Sequence, residues 1–99
     1  MKKTEKSSDG TSFKHTTIET TVYELIRVLG NPNYINNNGK DKVNVEWVCE
    51  RANGDIVTIY DWKESRSIKF DEVIEFHLGG HNTLSTFNGK EDLIALLNK

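Results

Sequence analysis

The sequence predicts an α+β domain: a small antiparallel sheet of three to four strands, with two helices packed on its apolar face. Three observations support this class. A run with helical spacing ends at Gly30, the alternating runs Val43–Arg51 and Asp55–Lys63 flank Asn53-Gly54, and a second apolar stripe lies near the C-terminus. In chain order the predicted elements are β-α-β-β-β-α, which is typical of helices layered on one side of a sheet.

The domain organisation follows from length and local composition. Residues 1–11 are polar and predict a mobile N-terminal tail. Residues 12–99 predict a single α+β domain, because a chain of 99 residues can close one modest core. Within it, Ser12–Ile18 alternates loosely and is β-branched towards its end, as expected of a short strand.

The first helix has start and stop signals. Thr21 and Glu24 have the spacing of a capping box, in which each side chain satisfies a free backbone N–H. Gly30 can take the left-handed conformation that ends a helix, and Pro32 prevents its continuation. The apolar stripe between these signals consists of Val22, Leu25, Ile26 and Leu29. The asparagine-rich segment Asn31–Lys42 is predicted to be a loop.

The hairpin around Asn53-Gly54 has two possible registers. A two-residue turn places Trp47 opposite Tyr60, and a three-residue turn with Gly54 in a left-handed bulge places Trp47 opposite Ile59. We prefer the second register because it collects the apolar side chains on one face. It turns Tyr60 and Trp62 towards the other face.

The third predicted strand, Glu72–Leu78, also alternates. Ile74, Phe76 and Leu78 are expected to face the core, and His77 the opposite side. Gly79-Gly80 is expected to end this strand. Asn88 is the predicted cap of the second helix, whose apolar stripe comprises Leu93, Ile94, Leu96 and Leu97.

Composition excludes several classes of function. A net charge of −2 without a basic stripe argues against general nucleic-acid binding. No apolar run is long enough for a membrane span, and the basic start lacks the apolar centre of a secretory signal, so we expect a cytoplasmic location. The single Cys49 cannot form an internal disulfide and offers no zinc cluster. We predict no metal and no cofactor.

The candidate binding residues come from the second and third strands. Tyr60 and Trp62 could stack on a planar ligand, while His77 could donate a hydrogen bond. Lysines nearby could offset negative charge, and the paired glycines could expose backbone N–H groups to an anion. The predicted ligand-binding residues are Tyr60, Trp62, Lys63, His77, Gly79, Gly80 and Lys14, and no catalytic residue is predicted.

Each of these features also has a purely structural interpretation. His77 could bond a loop carbonyl at the sheet edge, and the two glycines could form a tight exit from a strand, which is commoner. The aromatic face could be covered by a second subunit or by the C-terminal helix. We expect a homo-oligomer, because a small sheet makes a shallow pocket that a neighbour could close.

A series of short motifs resembles a family of small phage-encoded accessory proteins of unassigned function. The motifs are Leu29-Gly30-Asn31-Pro32, Glu46-Trp47, Asn53-Gly54, Ile59-Tyr60-Asp61-Trp62-Lys63 and His77-Leu78-Gly79-Gly80. The chain departs from the family pattern at Phe76, where tryptophan often precedes the histidine, and in its C-terminal helix. The resemblance implies a non-virion role in the host cell, where such proteins often counter bacterial defence. Some of them sequester cyclic nucleotide signals, and others bind a defence protein directly.

Residues and resemblance together favour a small non-enzymatic binding protein. It would act as a phage-type antagonist of host defence that captures a small anionic or planar ligand, such as a nucleotide signal. The alternative is an interaction protein that inhibits a host protein through its aromatic sheet face. A hydrolase dependent on His77 is a third hypothesis, although the spacing fixes no partner acid or base.

Overall fold

Six strands form one antiparallel sheet in this computed structural model, which describes all 99 residues. The strands are β1 (Lys2–Lys3), β2 (Ser12–Thr20), β3 (Tyr34–Ile35), β4 (Val45–Glu50), β5 (Ile56–Tyr60) and β6 (Ile74–Gly80). The helices are α1 (Val22–Leu29) and α2 (Thr83–Leu97). The strand order across the sheet is β1-β4-β5-β6-β2. Both β1 and β3 pair with the edge of β4 that faces away from β5.

The predicted sheet of three to four strands, in the order β-α-β-β-β-α, is wrong. The observed order is β-β-α-β-β-β-β-α, because β1 and β3 add to the free edge of β4. Each of these strands has two residues, which is too short for alternation to be seen in the sequence. Their extended conformation comes from pairing with β4, a partner distant in the chain.

The hairpin register is confirmed. Trp47 lies opposite Ile59, and Gly54 has a left-handed φ of 94° at the turn. The amide of Gly54 donates to the carbonyl of Arg51 at 2.9 Å, which closes the turn. One extra residue in the turn therefore sends Trp47 into the core and leaves Tyr60 on the opposite face of the sheet.

The core lies between the sheet and the two helices. Trp47, Ile59 and Phe76 are fully buried on the helix-facing side, with Trp47 and Phe76 in edge-to-face contact at 6.3 Å. Leu25 of α1 and Leu93 of α2 complete the packing. The indole N–H of Trp47 also donates to the carbonyl of Gly30 at 2.9 Å, so the core strand holds the end of α1.

Helix α2 begins earlier than predicted. Its cap is Asn82, whose side chain accepts from the amide of Ser85 at 2.8 Å, and Asn88 lies inside the helix. A helix beginning at Thr83 runs over β5 with Gly89 at the contact. A Cβ atom at Gly89 would lie 2.9 Å from the methyl groups of Val57, so only glycine permits this close approach. The first half of α2 was not predicted, because Leu84 and Phe87 are exposed and obscure the apolar periodicity.

Residues 4–11, which we call the N-terminal strap, lie against the outer face of the sheet, the side opposite the helices. The strap connects β1 at the β4 edge to β2 beyond β6, so it passes β5 on its way. The amide of Thr4 donates to the carbonyl of Val48 at 2.9 Å, and Lys6 forms an ion pair with Glu50. The strap therefore forms part of the outer surface around the predicted binding residues. Neither helix has the length and apolar character that crossing a membrane requires.

Candidate ligand-binding site

Four rings meet on the outer face of the sheet, and we call them the aromatic cluster: Phe13, Tyr60, Trp62 and His77. Tyr60 and His77 are direct cross-strand partners on β5 and β6, with ring centroids 5.6 Å apart. Trp62, just beyond the end of β5, lies 6.2 Å from both. The expectation that these three rings share the face away from the helices is confirmed. Trp62 remains 39% exposed, so its ring is accessible to a ligand.

The imidazole of His77 lies between two other rings. Phe13 stacks on it at 4.0 Å with an interplanar angle of 15°, and Trp62 stacks on it at 6.2 Å with an angle of 26°. Burial lowers the pKa of His77 from its ordinary value, and the negative charge of Glu75 partly opposes this shift. A stacked, neutral imidazole is suited to holding the cluster together and to offering one hydrogen bond at its edge.

Protonation of His77 is expected to weaken the fold. Because its pKa is lower in the folded chain, the unfolded chain binds the proton more readily as the pH falls below the ordinary value of 6.5. The contribution of the neutral ring to stability is thus complete above pH 6.5 and decreases below it. We expect His77→Phe, which keeps a stacked ring, to remove this pH-dependent component from the free energy of unfolding.

Urea unfolding of the parent protein and His77→Phe at several pH values between about 5 and 8 tests this expectation. His81→Phe is the matched control, because His81 is exposed and lies outside the aromatic cluster. A stability difference between the parent protein and His77→Phe that stays constant over this range would contradict it.

Two ammonium groups lie beside the indole of Trp62. Lys63 Nζ is 5.5 Å and Lys42 Nζ is 5.8 Å from the ring centroid, within the range of cation–π contacts. The amide of Lys63 donates to the carbonyl of Lys42 at 2.8 Å, which places the two lysines side by side. The Trp62 end of the cluster is therefore positively charged.

The remaining predicted binding residues lie in different places. Gly79 faces the aromatic cluster: a Cβ atom there would lie 3.5 Å from Tyr60 and only 2.4 Å from the hydroxyl of Thr58. Gly80 faces α2 instead, because neighbouring residues of a strand point to opposite faces. Both glycines belong to β6 and do not follow it. Lys14 Nζ donates to the hydroxyl of Ser12 at 2.7 Å.

A groove of about 410 Å³ runs between the N-terminal strap and the hairpin strands. Residues 8–12, which include Asp9, line the groove on the strap side, and Glu46, Thr58, Tyr60 and Trp62 line it on the sheet side. Burial raises the pKa of the Glu46 carboxyl, and burial together with Glu46 raises the pKa of Tyr60. The groove and the aromatic cluster share two rings, so they form one candidate site.

Three residues of the site were not predicted from the sequence: Phe13, Lys42 and Glu46. Extending the hairpin register beyond Glu46 places Val43 opposite Lys63, so the position of Lys42 could have been inferred to within one residue. Phe13 reaches the cluster through the pairing of β2 with β6, for which the sequence gives no local signal.

No group of three or more His, Cys, Asp or Glu side chains in the structure is arranged to hold a metal ion. The side chains of the site are instead suited to stacking, to hydrogen bonding and to balancing charge. Comparison of the chain with protein-family models, curated proteins and solved structures gives no match.

Proposed function

We propose that this protein is a non-enzymatic binding protein that retains a small planar and anionic ligand, such as a nucleotide, at the aromatic cluster. The supporting observation is the contact among Phe13, Tyr60, Trp62 and His77 on the outer sheet face, with two lysine ammonium groups beside Trp62. Aromatic side chains on a solvated face favour stacking ligands, and each stacked base contributes about 1–3 kcal/mol. The lysines would offset the charge of a phosphate.

The biological setting belongs to the same proposal. The resemblance to small phage-encoded accessory proteins suggests sequestration of a nucleotide signal in the cytoplasm of the host cell, as an antagonist of defence. A shallow site of this kind gains contact area when a second subunit closes it, so we propose a homo-oligomer as the active form. The strap already supplies one wall within each subunit.

Removal of the Trp62 ring is expected to weaken ligand retention by about 5- to 150-fold, the equivalent of one lost stacking contact. Native mass spectrometry of protein purified from expressing bacteria measures both a retained small-molecule mass and the number of subunits. The comparison is between the parent protein, Trp62→Ala and the control Phe87→Ala. Phe87 is an exposed aromatic residue on α2, away from the cluster.

A nucleotide mass in the parent protein and in Phe87→Ala, with loss in Trp62→Ala, supports the proposal. Equal retention by all three proteins would exclude the aromatic cluster as the site. Absence of any small-molecule mass from the parent protein, even after incubation with added nucleotides, would reject ligand capture.

The second candidate function is inhibition of a host protein through the same face. It is favoured by the exposed side chain of Tyr34 on β3, an edge strand that pairs only with β4. Tyr34 lies opposite Glu46 on the outer face, so an exposed ring lies between the groove and the edge of the sheet. A co-purifying host polypeptide that is lost in Tyr34→Asp, without any small-molecule mass, would favour this function.

A further inference from the structure

The groove has a carboxylate at its floor that forms no ion pair. Glu46 is half-buried in β4 directly opposite Tyr60, and it lines the groove together with the two rings. The ion pairs of the structure use other carboxylates, namely those of Glu50, Glu24, Asp55, Asp92, Glu64 and Glu72. Desolvation of Glu46 is therefore not compensated by a neighbouring cation within the chain.

A partly desolvated carboxylate without a cation beside it costs free energy unless a hydrogen-bond donor reaches it. Its two oxygen atoms are acceptors only, and together they can accept from two adjacent N–H groups. No hydrogen bond within the chain uses the Glu46 side chain, and no fully buried side-chain oxygen lacks a partner, so its oxygen atoms are accessible from the groove that it lines. A donor on the edge of a stacked ring would satisfy Glu46 directly.

Apart from the exposed carboxylate of Asp9 in the strap, the charged side chains of the site are ordered along the two rings. Glu46 lies at the Tyr60 end, while Lys42 and Lys63 lie at the Trp62 end. The rings of Tyr60 and Trp62 connect the two ends, with centroids 6.2 Å apart. A complementary ligand therefore has N–H donors at one end, a planar ring in the middle and an anion at the other end.

We propose that Glu46 selects nucleotides with a guanine base. The inference rests on the proposed function and specifies its ligand class. Guanine presents N1–H and the N2 amino group side by side on its Watson–Crick edge, so one carboxylate can accept from both. Adenine presents a single amino donor beside an acceptor nitrogen, and hypoxanthine has N1–H but no N2 amino group. The groove volume of about 410 Å³ is within the usual size range of small-molecule sites.

Calorimetric titration with guanosine, inosine and adenosine monophosphates tests the selection. The parent protein is expected to bind the guanosine nucleotide about tenfold more tightly than the other two, the effect of one bidentate contact. Glu46→Gln is expected to bind all three with similar affinity, because an amide presents one donor and one acceptor. The matched control is Glu75→Gln, an exposed carboxylate on the same face of the sheet, which should keep the preference.

The outcomes separate this inference from the proposed function. If the parent protein binds the three nucleotides equally, or if Glu46→Gln keeps the preference, selection by Glu46 is overturned. In that case, a uniform loss of affinity in Trp62→Ala still supports nucleotide capture by stacking. If the parent protein binds none of the three nucleotides at millimolar concentration, both the selection and the proposed function are rejected.

Discussion

Asp61→Asn is expected to lower the free energy of unfolding by about 3 kcal/mol, although it changes one carboxylate oxygen to an amino group. Asp61 is fully buried, although its neighbours in the sequence are not: Tyr60 is half-buried and Trp62 is exposed. Its Oδ1 accepts from the amides of Asn44 and Val45 at 2.8 and 3.0 Å, and its Oδ2 accepts from Asn44 Nδ2 at 2.9 Å. All three partners are donors.

An amide side chain cannot satisfy this arrangement. Whichever way it is turned, its amino group faces at least one of the donors that the carboxylate accepts. Asn44 cannot invert its own amide to compensate, since its Oδ1 accepts from the amide of Gly39 at 3.1 Å and its Nδ2 also donates to the carbonyl of Arg66 at 3.0 Å. The substitution therefore leaves buried donors unpaired, which costs more than the loss of one hydrogen bond.

Urea unfolding of the parent protein, Asp61→Asn and Asp71→Asn measures this effect. Asp71 is an exposed aspartate in the connection before β6, so Asp71→Asn controls for the change of net charge. A loss of less than about 1 kcal/mol in Asp61→Asn would show that the network reorganises around the amide.

The parts of the fold that could be predicted from the sequence depend on residues close together in the chain. The cap at Thr21 and the stop at Gly30 define α1, and the bulge at Gly54 sets the hairpin register. The parts that it missed depend on distant partners. The Lys2–Lys3 pair has no strand-like pattern and becomes β1 because the edge of β4 is available to it.

The candidate site divides in the same way. Tyr60 and Trp62 follow from the hairpin register, and His77 follows from alternation in β6. Phe13 and the strap were not predicted as part of the site because β2 pairs with β6, a strand more than fifty positions away in the sequence. The pairing also contains a bulge at His15, which has a φ of 69°. Asp61 illustrates a further limit: its carboxylate looks like surface charge in the sequence, yet it organises two loops from inside the protein.

Gly79→Ala is expected to destabilise the protein by about 2 kcal/mol, as a consequence of overpacking the floor of the site. The added methyl group would lie 2.4 Å from the hydroxyl oxygen of Thr58, its direct cross-strand partner on β5. Thr58 is buried and β-branched, so it has little freedom to turn away. The measurement is the free energy of unfolding in urea.

Removal of the opposing side chain should relieve this contact. The double variant with Gly79→Ala and Thr58→Ala is therefore expected to be more stable than the sum of the two single effects predicts, by about 1–2 kcal/mol. Because the other neighbours of a Cβ atom at Gly79, the carbonyl of Ser12 and the ring of Tyr60, lie at an ordinary 3.5 Å, no further clash should remain. Strict additivity of the two substitutions would mean that glycine is required at this position for a reason other than its contact with Thr58.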